Sequence, residues 1–244
     1  MFDFFKKSFI SSGLFEGFTD VHCHMLPGVD DGIQKMESAV RALNYYEEKG
    51  ASRVFFTPHI MESLHENTYE KLNERFEALK KEYKGCLKLA LGAEYMMDEG
   101  LSRKIDNKEP LICASGNMVL IETLAHHPPL NFTQNLFEVR SIGYDVMLAH
   151  PERYAYMEKD NYKELLNKGI KFQLNLMSLF GLYGKDAQER ATWMLKDGLY
   201  TFVGTDLHRL KVHRDFFHIK GLKSKQVDAL AKLIENNNNL KIGK

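Results

Sequence analysis

The stretch FTDVHCHMLPGVDDG, residues 18–32, begins as an apolar, β-branched run and ends in two histidines and two adjacent acids. Its first half, FTDVHCH (18–24), reads as a buried strand with His22 and His24 at its end. Asp30 and Asp31 follow in the loop. One strand ending in imidazoles is compatible with simple packing. The fold is decided by whether later strands end the same way.

Six further runs have the same apolar, β-branched character: RVFFTPH (53–59), LKLALGAE (87–94), MVLIET (118–123), YDVMLAH (144–150), KFQLNL (171–176) and YTFVGTD (200–206). Helix-like segments lie between them near 36–49, 67–84, 132–142, 161–168 and 185–197, with a last one over about 224–236. The helical segments place apolar residues three and four apart, as in Leu72, Phe76 and Leu79. Near-continuous apolar strands read as buried on both faces, in a parallel sheet wrapped by helices. The alternation predicts an α/β fold: a seven-stranded (β/α)7 barrel of the TIM-like kind, closed or nearly so, one strand short of eight. An open doubly wound sheet is the alternative. No Pro/Gly/Ser-rich linker or repeat divides the 244 residues, so one domain spans 1–244, with 1–17 as an N-terminal extension and about 224–244 as a C-terminal helix and tail. The asparagine run at 236–239 is expected to end that helix and fray.

A barrel builds its active site from the C-terminal ends of several strands. Here those ends carry His22 and His24, then His59, Glu94, Glu122, His150, and finally Asp206 with His208. Strand six offers Gln173 and Asn175 instead. A glutamate buried in an apolar strand is costly unless it is paired or holds a cation. Six strand ends of seven bearing imidazole or carboxylate therefore point to a metal site. With Asp31, nine candidate ligands are present and none is a thiolate, which suits zinc, manganese or iron. A single open catalytic ion needs about three protein ligands, so nine imply two or three ions with a bridging carboxylate, Glu94 or Asp206.

Composition removes other classes. Lysine plus arginine equals aspartate plus glutamate at 33 each, without the basic surplus of a nucleic-acid or anionic-membrane binder. Cys23, Cys86 and Cys113 are too far apart for a disulfide framework or a C-x-x-C knuckle. No run approaches the ~18 apolar residues of a membrane helix. The apolar start, MFDFFKKSFISSGLFEGF, has lysines inside it and is broken by Glu16, so a cytoplasmic protein without a processed signal is expected. The residues six beyond the three cysteines are Val29, Gly92 and Val119, so the Cys-x5-Arg chemistry of cysteine phosphatases is missing. G-x-x-x-x-G-K-[ST], G-x-G-x-x-G and G-x-S-x-G are missing as well.

Together, HCH with DDG, TPH, the isolated strand-end glutamates, AHPER and GTDLH resemble the PHP (polymerase and histidinol phosphatase) superfamily over about residues 18–210. Within it, DVHCHMLPGVDDG and AHPERY resemble most the bacterial manganese-dependent protein-tyrosine phosphatases of the CpsB/CapC type. The resemblance implies a distorted seven-stranded barrel and a trinuclear site. One ion would take His22, His24, Glu94 and Asp206; a second would share Glu94 and add Glu122 and His150; a third would take Asp31, His59 and His208. Manganese is the metal implied, with iron or zinc as alternatives. The resemblance also chooses Asp31 over Asp30, and puts Asp20 behind the histidines as a supporting residue. Arg153 is placed for a bidentate grip on a phosphoryl group. A further arginine is expected after the final D-x-H; Arg209 and Arg214 are the candidates, in a spacing that departs from the family pattern.

The implied activity is hydrolysis of phosphotyrosine on a protein, by resemblance the tyrosine-rich tail of a bacterial kinase controlling capsule or exopolysaccharide synthesis. A histidinol-phosphate or other small-molecule phosphatase is the alternative, ahead of a nuclease-associated module or a non-catalytic metal-binding domain. The sequence leaves open whether the chain forms a homo-oligomer. His126 and His127 are explained as well by loop geometry as by a cleft. His65, His213 and His218 are read as surface residues, and FDFFKK and Trp193 as packing groups.

Overall fold

In a computed structural model the described residues are 6–241; the first five residues and the last three, part of the expected extension and tail, lie outside them. The chain alternates strand and helix: β1 (Thr19–Cys23), α1 (Met36–Glu48), β2 (Arg53–Phe56), β3 (His59–Ile60), α2 (Tyr69–Glu82), β4 (Lys88–Leu91), β5 (Glu94–Met96) and α3 (Glu99–Asp106). It continues through β6 (Met118–Glu122), α4 (Phe132–Ser141), β7 (Asp145–Ala149), α5 (Lys159–Asn167), β8 (Lys171–Asn175), α6 (Lys185–Lys196), β9 (Phe202–Gly204), α7 (Leu210–Phe217) and α8 (Ser224–Asn238). This is a mixed α/β fold in which every strand pairing within the sheets is parallel.

The strand count differs from the seven expected in one closed sheet. Two sheets form, in the orders β1-β2-β4 and β3-β5-β6-β7-β8-β9. The expected strands 53–59 and 87–94 each divide in two. Pro58 has no N–H to give a ladder, and Gly92 lies where an added Cβ would meet the Ala114 backbone at 3.0 Å. Single backbone bonds carry the pairing across both breaks, Gly92 N–H to Phe56 O at 2.8 Å and Glu94 N–H to Pro58 O at 3.0 Å. At the other edge β9 meets β1 through one parallel bridge, Cys23 with Leu207. Asp206 N–H donates to His22 O at 2.8 Å and His24 N–H to Leu207 O at 2.9 Å, so the chain segments bearing three candidate ligands lie side by side.

The strands are buried on both faces, as their composition predicts. One face packs a small apolar group that includes Val21, Phe55, Leu120, Met147 and Phe202. The other faces a larger cluster shared with the helices, among them Leu43, Leu72, Leu136 and Leu165. Alternation along β6 puts Glu122 on the face of Met118 and Leu120, so the polar groups at the strand ends sit above an apolar floor.

Three segments depart from expectation. The helices α3 and α7 were not anticipated: each has only eight residues, too few turns to register as a period. The Asn236–Asn239 run does not fray. The helix α8 continues to Asn238, and Asn237 is fully buried. Its Nδ2 donates to Thr19 O and Val203 O at 2.8 and 2.6 Å, and its Oδ1 accepts from Val203 N at 3.2 Å. Of the N-terminal extension, Phe9 and Phe15 are buried edge-on to each other and pack with Phe18 and Phe217.

Candidate metal centre

The nine predicted ligands converge, most from C-terminal strand ends or the loops after them, His59 and Glu94 from the first residues of the short strands β3 and β5. His22 and His24 leave β1 with their Nε2 atoms 3.2 Å apart. The Glu94 carboxylate, at the start of β5, reaches both: its Oε2 lies 3.3 Å from each Nε2. The same oxygen is 3.2 Å from His59 Nδ1, while Oε1 is 3.1 Å from His150 Nε2. Glu122 Oε1, from the end of β6, is 2.9 Å from His59 Nδ1. Asp206 Oδ1 lies 3.4 Å from His22, 3.2 Å from His24 and 3.3 Å from His208. Asp31 Oδ1 closes the outer side, 3.4 Å from His59 Nε2 and 3.2 Å from His208 Nε2.

Four overlapping donor groups result: His24, Asp31, His59 and His208; His22, His150 and Asp206; His22, His24 and Glu94; and His59, Glu94 and Glu122. The overlap is close to the division implied by the resemblance, with three differences. His24 also joins Asp31, His59 and His208, His150 groups with His22 and Asp206, and His59 faces two groups through its two ring nitrogens. Crowding without pairing is the notable feature. His59 Nδ1, Glu94 Oε2, Glu122 Oε1 and His150 Nδ1 are buried and have no aligned hydrogen-bond partner. Lone pairs so arranged fit a shared divalent cation, and the imidazole–carboxylate set lacking thiolate suits a transition ion.

Electrostatics points the same way. Burial opposes charge on His22 and His24, yet the surrounding carboxylates, Glu94 and Asp206 among them, outweigh it and leave both pKa values raised. Burial equally opposes charge on Glu94 and Asp206, and the histidines hold both carboxyls well below the usual range. The acids are therefore ionised in a water-poor site and require positive charge beside them.

Two residues outside the nine fix the ring orientations. His22 Nδ1 lies 2.8 Å from Gln173 Oε1, and His24 Nδ1 lies 2.8 Å from Asp30 Oδ2. Each contact puts the ring proton on Nδ1 and leaves Nε2 as the donor to a cation. Asp30 is held by Gly32 N–H at 2.9 Å and His59 N–H at 3.1 Å. A Cβ at Gly32 would land 2.1 Å from His24 O, so only glycine closes this loop. Asp30 thus orients a histidine while Asp31 faces the donor cluster. Asp20 does not support the imidazoles as expected. It accepts from Thr205 N and Oγ1, Tyr46 OH and His22 N, tying β1 to the segment after β9. Burial pushes its pKa up to about 6 against those bonds.

Two of the candidate ligands sit on strained backbone. His150 and Asp206 have φ of 33° and 53°, a region that non-glycine residues avoid. Each turns the chain sharply at a strand end. Past His150, Arg153 Nη1 donates to Asp206 Oδ2 at 3.1 Å. Asn175, at the strand end that lacked a ligand, donates to the same oxygen at 2.8 Å. Arg209 follows His208 at the exposed start of α7, and exposed Arg214 lies farther along that helix near Tyr45. Among the described residues neither forms an ion pair or hydrogen bond with the nine. His126 and His127 are exposed in the loop after β6, and His65 and His218 are exposed too. His213 is not a surface residue: it is buried, its ring nitrogens 3.2 and 3.1 Å from Arg209 O and Thr205 O. Its position on the inner stripe of an unrecognised helix explains the misreading.

Residues 18–226 match the family model described as capsular polysaccharide synthesis, CpsB/CapC. The chain belongs to the CpsB/CapC family. Among its relatives, the tyrosine-protein phosphatase YwqE of Bacillus subtilis is 26% identical over 204 residues, covering 82% of this chain and 80% of that one. The tyrosine-protein phosphatase CpsB of Streptococcus pneumoniae is 27% identical over 201 residues, 78% of this chain and 83% of that one. A solved structure described among YwqE from Bacillus subtilis and CpsB from Streptococcus pneumoniae, as metal-dependent tyrosine phosphatases, superposes with a TM-score of 0.70. It covers 92% of this chain and 96% of that one at 23% identity, which is a likeness of fold. The same holds for a phosphotriesterase homology protein from Escherichia coli crystallised with phosphate in its active site, at TM-score 0.57 and 13% identity. CpsB/CapC membership covers all nine convergent residues.

Proposed function

We propose that this chain is a metal-dependent phosphomonoesterase that removes phosphate from phosphotyrosine on proteins. The observation that carries it is Glu94 Oε2, buried and without an aligned hydrogen bond although it lies within 3.3 Å of three imidazoles from two separate strands. His22, His24, Glu94 and Asp206 would hold one ion, Glu122 and His150 with Glu94 a second, and Asp31, His59 and His208 a third; manganese is the metal we propose. Such ions polarise a phosphoryl oxygen and make water nucleophilic at neutral pH. We read the two sheets and the β1–β9 bridge as a distorted barrel of seven strands, with all nine ligands at one mouth.

The chain's own residues supply the rest. Arg153 gives a fixed guanidinium at the edge of the cluster, suited to the charge that builds on a transferring phosphoryl group. Gln173 and Asp30 hold two imidazoles in the tautomer that leaves Nε2 free. The apolar floor beneath the site keeps the carboxylates out of bulk water and strengthens their fields. A bacterial kinase tail fits as the partner, since a protein-borne phosphotyrosine is the substrate class named for the relatives. Among the described residues no helix is long and apolar enough to cross a membrane; we propose a cytoplasmic site of action.

The test is phosphate release from a phosphotyrosine peptide beside histidinol phosphate, each with manganese and with chelator. Chelator-sensitive turnover favouring the peptide is expected. Preference for histidinol phosphate would overturn the substrate, and hydrolysis of neither would overturn the enzyme.

A further inference from the structure

Asp206 divides its two oxygens. Oδ1 faces His22, His24 and His208, whereas Oδ2 accepts from Arg153 Nη1, Asn175 Nδ2 and Tyr183 OH at 3.1, 2.8 and 3.1 Å. Tyr183 lies in none of the strand-end motifs. It sits in the turn before α6, between Gly181 and Gly184, whose positive φ values of 83° and 88° bend the chain back toward the site. Backbone bonds from Leu182 N–H to Met177 O and Gly184 N–H to Gly181 O fix that turn. The Tyr183 ring lies beneath the Arg153 guanidinium, 4.3 Å from centroid to Cζ.

We propose that Tyr183 is a positioning residue of this centre: its hydroxyl helps turn a single Asp206 oxygen toward the cations, and its ring is the platform that aims Arg153 at the phosphoryl group. The second half rests on the phosphomonoesterase reading; the first does not. A carboxylate saturated by three donors on one oxygen presents only the other, which favours one-oxygen coordination. A guanidinium stacked on an aromatic face loses little freedom when it grips an anion, because its plane is already set. A tyrosine present for packing alone would need neither a hydroxyl aimed at a ligand nor a cation on its face.

The two roles separate by substitution. Tyr183→Phe keeps the platform and removes one donor. In manganese titration of the metal-free protein its apparent affinity should fall about tenfold, the usual scale for losing such a supporting contact. Binding of inorganic phosphate to the manganese-saturated protein should change less than about twofold. Tyr183→Leu removes both features, so phosphate affinity should also fall about tenfold, with KM for the phosphotyrosine peptide rising more than kcat falls.

Wild-type manganese affinity in Tyr183→Phe overturns the hydroxyl's role. Equal phosphate affinity in the Phe and Leu variants overturns the platform. If Tyr183→Leu loses its cooperative melt, Tyr183→Trp replaces it and should keep phosphate binding while manganese binding weakens; loss of phosphate binding there counts against the platform. Both titrations proceed without turnover. A wild-type protein that binds manganese but hydrolyses no phosphotyrosine would sink the phosphatase reading while the Asp206 half is still decided.

Discussion

Glu94 shows how much chemistry one strand-end residue carries. It is fully buried, it touches four histidines, and one of its oxygens has no aligned hydrogen-bond partner. Ionised in a dry site, such a group depends on the positive charge of the imidazoles around it or on a cation that takes their place. Glu94→Gln is nearly isosteric but removes the charge that the surrounding histidines stabilise, so the metal-free variant should melt below the metal-free wild type. Manganese retained after dialysis should fall, and phosphotyrosine hydrolysis should drop about a hundredfold or more. Full manganese content with normal turnover would show that Glu94 is not a ligand. Asp30 makes a subtler case, because it touches only the far nitrogen of His24. Asp30→Asn retains an oxygen to accept from Nδ1 but loses charge, so manganese affinity should weaken about tenfold, measurable by competition with a chelating dye. Asp30 and Asp31 are neighbours of one type, and spacing cannot tell which faces the site. The contacts distinguish them: Asp30 is taken up by His24 Nδ1 and Gly32 N–H, while Asp31 Oδ1 lies against His59 and His208.

At the scale of elements, the turn after β7 places a candidate ligand and an arginine within four residues. His150 sits on strained backbone, so neighbours must hold the turn. Glu152 does much of this. Buried between them, it accepts from Asn175 N at 3.0 Å, Ser178 Oγ at 2.8 Å and Tyr200 OH at 2.9 Å. Glu152→Ala leaves three donors unmet in a dry site and should destabilise the protein by about 3 kcal/mol, read from the midpoint of urea unfolding. Glu152→Gln, which keeps the side chain's volume and one accepting oxygen, should lose less; equal losses would mean that the turn needs both carboxylate oxygens as acceptors. AHPER advertised His150 and Arg153, but nothing in it distinguished Glu152 from a surface glutamate. Elements with a strong period were legible in the same way. The expected helix at 185–197 is α6, Lys185–Lys196, and the expected strand at 118–123 is β6, Met118–Glu122. What was illegible depended on contacts distant in sequence, as at the Gly92 break, buried His213 and the three donors that converge on Asp206, or, for the eight-residue helices, on a length too short to show a period.

Over the whole molecule, the last helix acts on the first and last strands. The strands β1 and β9 share no regular ladder, yet they must stay side by side because His22, His24 and Asp206 leave from their ends. Asn237 holds this seam from α8, donating to one carbonyl on each strand and accepting from Val203 N–H. Reversed chemistry gives the sharpest test. Asn237→Ala removes three buried bonds and should lower stability by about 3 kcal/mol. Asn237→Asp can still accept from Val203 N–H but turns negative oxygen against two carbonyls, so at neutral pH it should be the less stable of the two. Protonation restores a donor. The folded-state pKa of that aspartate is raised above its unfolded value, so the stability it contributes is present at low pH and lost as pH rises through the folded pKa. Asn237→Asp should therefore gain on Asn237→Ala as pH falls from 7 toward 5. Exposed Asn239 provides the control, since Asn239→Ala should stay within about 0.5 kcal/mol of wild type at either pH. Because the seam also sets the spacing of the ligands, manganese should raise the melting temperature of Asn237→Ala less than that of the wild type at the same concentration. Equal shifts would mean that the metal centre keeps its geometry without the Asn237 bonds, and that the remaining contacts, the Cys23–Leu207 bridge and Asp20 with Thr205 among them, hold the two strand ends together.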